Sequence, residues 1–239
     1  MKVKVKDLMR FLDLINLQGT LEINQCILGG TKKQLQMYAK APTNTLAIKA
    51  TLKGDYSELG EVGIGNLSLL RKAISLATSE EVDISKKENV IVIKDKNSTT
   101  KVLLTQPQYI LTTLKGEDYE GKVKTLKTNP FTLTNEHIQE INKHYSLFRD
   151  KIEVEVKDKK VKINFNKDEN GSELTLELKD KVAKPFETMV AGFFVEILAQ
   201  IADNVVVNAD DNMPIIVSYD TENYGVEYLV APIKKKKEE

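Results

Sequence analysis

The chain has one cysteine, no tryptophan, two histidines and six prolines among 239 residues, and its 35 lysines and arginines are balanced by 35 aspartates and glutamates. Each scarcity excludes something. Cys26 alone can make neither an internal disulfide nor a thiolate zinc cluster. It lies among apolar residues, which fits a buried strand thiol in a reducing compartment better than a nucleophile. His137 and His144 fall two turns apart on one predicted helix, with no cysteine or third histidine to complete a metal site. They read as surface or hydrogen-bonded side chains. The balanced charge announces neither a broadly basic surface nor an acidic solvating chain. No apolar run approaches the roughly 20 residues that span a bilayer. The alternating start, Lys2-Val3-Lys4-Val5-Lys6, lacks the apolar core of a signal peptide, so no secretion and no membrane are expected. Gly29-Gly30-Thr31-Lys32-Lys33 lacks the spacing of a phosphate loop, and Gly60 to Gly65 is not a dinucleotide fingerprint. Asp168-Glu169 and Asp210-Asp211 read as turn formers rather than acid–base pairs. Catalytic residues, metal and cofactor are therefore all expected to be none.

What the chain does have is a repeat. Its clearest copy is the last: a short strand over 188–192, a helix over 193–202, then strands over 204–210, 213–220 and 224–232. Phe194, Ile197, Leu198 and Ile201 form the apolar face of that helix, opposite Glu196 and Gln200. The first copy has a strand at Val3 and Val5, a helix from Asp7 to Leu17 stopped by Gly19, and strands over 21–28, 34–39 and 45–52. Gly29-Gly30 and Pro42-Thr43-Asn44 are its turns. The second has a strand over 62–65, a helix over 66–78 and strands over 81–85, 89–94 and 99–105. The third has a strand over 131–133, a helix from Thr134 to Phe148, and strands over 151–156, 160–166 and 173–179, with a turn at 168–171. One such copy cannot bury both its helix and its sheet face, whereas two side by side can. The expected class is α+β: two similar domains, each of two β-α-β-β-β repeats with two helices on one face of the sheets. The boundaries are 1–105, an aperiodic linker over 106–128, 129–233, and a charged tail over 234–239.

At this point the sequence resembles the DNA polymerase sliding clamps of the proliferating cell nuclear antigen type. The likeness covers nearly the whole chain as repeat order. It is sharpest at Asn66-Leu-Ser-Leu-Leu-Arg-Lys-Ala-Ile-Ser75, similar to the second helix of those clamps with its lysine at Lys72. The other sharp segment is Met213-Pro-Ile-Ile-Val-Ser-Tyr219 with Tyr228-Leu-Val-Ala-Pro232, similar to their C-terminus. The resemblance implies a homotrimeric, pseudo-sixfold ring, with helices lining the hole, that encircles duplex DNA and serves as a polymerase processivity factor. It implies as partners sequence-independent double-stranded DNA, a DNA polymerase, a clamp loader and further copies of the chain. The expected location is cytoplasmic or nucleoid-associated. The lysine- and asparagine-rich composition suits an AT-rich genome such as that of a virus or phage, where the location is the host cell interior.

Three sets of residues follow. A sliding clamp needs cations that meet phosphates loosely, without reading bases. Arg10, Arg71, Lys72 and Lys143 on exposed helix faces, with Lys6 and Arg149 at helix ends, are the DNA-facing candidates. Asp7, Asp13, Glu136, Glu140 and Glu196 share those faces and make them less basic than a clamp bore would be. Head-to-tail closure joins edge strands; by resemblance these lie at 99–105 and 173–179, giving Val102, Leu104, Leu174, Leu176 and Leu178 as interface candidates. The resemblance also implies a pocket for short partner peptides at Ala47, Pro214, Val230, Ala231 and Pro232, with Tyr109, Ile110 and Leu111 of the linker as its lid. Lys115, Lys122, Lys124 and Lys127 make that linker basic where the family's linkers are commonly acidic, which implies different partner peptides. Two other readings are a subunit of a hetero-oligomeric clamp-like scaffold and a monomeric two-domain ligand-binding protein.

Overall fold

A computed structural model of the chain describes residues 1–17, 23–111, 114, 116–146, 152–165, 172–179 and 182–233. The stop expected at Gly19, the strand start at 21, the helix end at Phe148, the turn at 168–171 and the tail at 234–239 lie outside the described residues. The chain forms two compact units, residues 1–119 with 220–226 and residues 120–219 with 227–239.

The first unit contains β1 (Lys2–Lys4), α1 (Val5–Asn16), β2 (Cys26–Gly30), β3 (Gln34–Lys40) and β4 (Leu46–Lys53). It continues with β5 (Glu61–Ile64), α2 (Leu67–Ser75), β6 (Glu81–Lys87), β7 (Val90–Lys94) and β8 (Thr99–Leu103). The strands do not stay with their own repeat. β1 pairs antiparallel with β6, giving the order β1-β6-β7-β8, while β5 pairs with β2, giving β5-β2-β3-β4. Each repeat lends its first strand to the other, and so neither half-unit is a closed structure without its neighbour.

The second unit repeats this exchange. Its elements include β9 (Pro130–Leu133), α4 (Asn135–Tyr145), β10 (Ile152–Lys157), β11 (Lys160–Phe165) and β12 (Ser172–Glu177). The fourth repeat supplies β13 (Phe186–Val190), α5 (Phe193–Ile201), β14 (Val205–Asn208), β15 (Ile215–Asp220) and β16 (Tyr224–Val230). β13 joins β12-β11-β10, and β9 joins β14 beside β15 and β16. The hairpins correspond too: Glu88 between β6 and β7 and Asp158 between β10 and β11 both take left-handed φ, 50° and 53°.

In each unit the two repeat helices, α1 with α2 and α4 with α5, are segregated to one sheet face. α1 packs on α2 and β4; α4 packs on α5 and β12. Leu8, Phe11, Leu12, Leu14 and Ile15 of α1 are buried, each worth about 1.5–3 kcal/mol relative to exposure. Phe194, Ile197, Leu198 and Ile201 of α5 are buried as its periodicity predicts. Caps fix the helix starts: Asn66 Oδ1 accepts from the Leu69 N–H at 2.8 Å, and Thr134 with His137 forms a reciprocal capping box at the head of α4.

Four local expectations change. α1 begins at Val5, because the Val5 N–H donates to the Glu80 carbonyl at 2.8 Å and strand pairing ends at Lys4. Of the strand expected over 21–28, residues 23–25 lie outside regular structure and β2 begins at Cys26. Gly29 and Gly30 belong to β2 rather than to a turn; the turn follows them, with Thr31 Oγ1 accepting from the Gln34 N–H at 3.1 Å. The aperiodic linker contains a 3₁₀ turn (Pro107–Tyr109) and a helix, α3 (Gly116–Leu126). Gly116 lies against the Tyr38 ring, and Tyr119 is buried with its ring 5.7 Å from that of Tyr38.

Candidate nucleic-acid and docking surfaces

The cationic candidates sit on the outward sides of the helices with unequal company. In the first unit Lys6 and Lys72 are exposed and Arg10 is half-buried. The Arg71 guanidinium holds the Asp13 carboxylate in a salt bridge that ties α2 to α1. That hydrogen bond raises the Arg71 pKa above its ordinary value. In the second unit Lys143 is exposed, but its ammonium is paired with Glu140 at 2.5 Å. The pairing lowers the Glu140 pKa. Glu196 accepts a hydrogen bond from the Tyr145 hydroxyl at 3.4 Å. Arg149 lies outside the described residues.

Both histidines have structural work. His137 Nδ1 accepts from the Thr134 N–H at 3.3 Å. His144 Nδ1 lies 3.0 Å from Ser172 Oγ, and its ring stacks on Phe165 at 6.0 Å. The turn carboxylates act as the sequence predicts where they are described: Asp211 Oδ1 accepts from the Glu187 N–H, and Asp210 Oδ1 from the Asp211 N–H. Among the described residues no group of three His, Cys, Asp or Glu side chains could hold a metal ion.

Both strands named as edges are edges. β8 ends the order β1-β6-β7-β8 and β12 ends β12-β11-β10-β13. Their apolar candidates are mostly turned inward: Val102, Leu176 and Leu178 are buried, and Leu104 and Leu174 are half-buried. The residue that sequence reasoning missed is Leu103, 68% exposed at the end of β8. The apolar candidates named on 99–105 are Val102 and Leu104, on the opposite face from Leu103; the strand stops at Leu103, and the Leu104 N–H donates to the Asn89 carbonyl at 2.7 Å. Lys101 is exposed on β8, and Glu173 and Glu177 are exposed on β12, paired along the sheet with Lys162 and Lys160.

The docking candidates divide between the units. In the first, Ala47 is half-buried, Tyr109 and Leu111 are exposed, and Ile110 is a core side chain, 4% exposed. The Thr105 N–H donates to the Gly63 carbonyl at 2.9 Å, so the segment carrying Tyr109 is strapped to β5. In the second unit Pro214, Ala231 and Pro232 are half-buried and Val230 is fully buried. Pro232 bridges to Val190, and the Ile233 N–H donates to the Met189 carbonyl at 2.7 Å. Ile110 and Val230 thus fill the interior, leaving Ala47, Tyr109, Leu111, Pro214, Ala231 and Pro232 with accessible surface. Lys122, Lys124 and Lys127 belong to α3 or the turn after it; Lys115 lies outside the described residues.

Four repeats, first strands exchanged in pairs, and two helices on one face of each unit's sheets define the fold of a sliding clamp of the proliferating cell nuclear antigen (PCNA) type. Comparison with solved structures gives the particular likenesses. One is the crystal structure of the proliferating cellular nuclear antigen from Entamoeba histolytica: TM-score 0.76, 16% identity, 98% of this chain and 98% of that one. Another is the C-terminal region of FEN-1 bound to A. fulgidus PCNA: TM-score 0.78, 14% identity, 99% of this chain and 98% of that one. No protein-family model and no curated protein matches the sequence. At such identities the likeness is one of fold.

Proposed function

We propose that the chain is the subunit of a homotrimeric ring clamp that encircles duplex DNA and tethers a polymerase and other DNA-processing partners, with no catalysis of its own. The observation that carries this is the likeness over 98% or more of the chain, and of each matched clamp, with both units included. Ring closure requires two unsatisfied strand edges per subunit. β8 and β12 supply them, and their exposed charges are opposite, Lys101 on one and Glu173 and Glu177 on the other. Complementary cross-strand charges favour pairing of unlike edges, hence head-to-tail association of identical copies. Duplex DNA would then pass between helices that meet phosphates through side chains and water, without base readout. Partner peptides would dock through apolar anchors on accessible side chains, Ala47, Tyr109 and Leu111 in the first unit and Pro214, Ala231 and Pro232 in the second. The FEN-1 segment seen on A. fulgidus PCNA is the kind of partner this reading has in view. A clamp loader would be needed wherever the ring does not open unaided.

The deciding experiment is the native mass over a concentration series, followed by retention on DNA circles before and after linearisation. A three-chain mass that dissociates on dilution, with retention lost when the circle is cut, is expected. A single-chain mass at every concentration would overturn the self-closing ring.

A further inference from the structure

The helices of the two units carry opposite charge. α1 and α2 bear Lys6, Arg10, Arg71 and Lys72 against Asp7 and Asp13, a surplus of two positive charges. α4 and α5 bear Lys143 against Glu136, Glu140 and Glu196, a surplus of two negative charges. The side-chain pairs sharpen the contrast. Asp13 is tied to Arg71, and Lys6 and Lys72 are exposed with no carboxylate partner among the described residues. On α4 and α5 the one lysine, Lys143, is held by Glu140, while Glu136 stays exposed.

We infer that duplex DNA is held by the first unit's helices alone, with Lys6 and Lys72 as the phosphate contacts, while α4 and α5 present a surface that repels it. This rests on the ring reading and deepens it. A trimer would then offer alternating attractive and repulsive sectors, and DNA would lie against one α1–α2 sector at a time rather than at the centre of a uniformly cationic hole. Phosphate attraction scales with the number of cations engaged. Two free lysines per subunit therefore imply weak contact with a shallow salt dependence, which suits sliding.

The test uses the full chain and a fluorescent linear duplex, with anisotropy followed over a salt series. Lys72→Glu should weaken association at low salt about tenfold and flatten the salt slope by about one. Lys6→Glu, on the other helix, should do the same and guards against a Lys72 variant that fails to fold. Lys143→Glu should cost clearly less than Lys72→Glu, because Glu140 already holds that lysine and the new charge acts only through longer-range repulsion that salt screens. Glu136→Gln should strengthen binding. Equal losses for Lys143→Glu and Lys72→Glu would overturn the inference, as would no binding by the parent at low salt. Neither result touches the ring, which is read separately from native mass; a single-chain mass would remove the ring and still leave the lysine comparison decisive for which helices hold DNA.

Discussion

At the scale of single residues, burial decides which groups can react. Cys26 is fully buried in β2, and burial pushes its thiol pKa up to about 12. The thiolate is the reactive form, so the folded chain should not react with a thiol reagent at neutral pH until denaturant exposes Cys26; prompt labelling of the native protein would contradict this packing. Asp95 is the opposite case, a half-buried carboxylate held by hydrogen bonds. Bonds from Ser79, then from the backbone and hydroxyl of Thr78, lower its pKa well below the ordinary 3.8. A group depressed on folding stabilises the native state above its unfolded pKa and loses that contribution as pH falls through the folded value. Asp95→Asn should therefore cost stability at pH 7 but flatten the loss seen on acidification below about pH 4, as urea melts across pH would read. Gly63 is constrained by space rather than by backbone angle. A Cβ there would stand 2.2 Å from the Thr105 carbonyl oxygen, so Gly63→Ala should cost about 1–3 kcal/mol and loosen the strap on β5, measurable as faster amide exchange at Thr105.

At the scale of elements, what was legible in the sequence followed local pattern, and what was not followed long-range pairing. β-branched runs announced nearly every strand, and α5 could be read from Phe194, Ile197, Leu198 and Ile201 because its buried face is continuous. The exchange of β1 and β5 between repeats left no mark, since a three- or four-residue strand looks the same whichever neighbour receives it. α3 was illegible for a different reason. Only Tyr119 and Val123 are buried on it, and Gly116 and Gly121 depress its intrinsic helicity. Its N-terminal half is held by tertiary contact, Tyr119 on a Tyr38 ring whose hydroxyl accepts from Gln36 Nε2 at 2.6 Å. Tyr119→Ala should accordingly cost about 3–5 kcal/mol, as large aromatic truncations in cores do, and should unfasten α3 before the sheets unfold. Thermal melts with hydrogen exchange would separate the two events; equal exchange across α3 in both proteins would show that Tyr38 is not its anchor. Of the candidate sites, the edge strands could be located in advance; at β8 the candidates named are the inward Val102 and Leu104, while the exposed apolar residue is Leu103 between them.

At the scale of the whole molecule, the proposed ring turns a small edge interaction into a large effect. Lys101 on β8 and Glu173 and Glu177 on β12 are exposed charges, and one surface pair is worth only about 0.2–1 kcal/mol. A closed trimer repeats that pair at each of its interfaces, however, and a single reversed charge acts at all of them. Lys101→Glu places like charges across the proposed junction and should move the native mass to the single chain at concentrations where the parent is a trimer. Because the attraction is screened by salt, the parent ring should itself weaken with added salt while Lys101→Glu improves relative to it. Adding Glu177→Lys to Lys101→Glu restores opposite signs and should restore the three-chain mass, even though Glu177→Lys also gives up its pair with Lys160. Restoration by the second substitution, read by light scattering, would assign the junction to β8 and β12. If both the single and the double variant kept the parent mass, the copies would be joined elsewhere; if both were monomeric, charge pairing would not be what selects these edges.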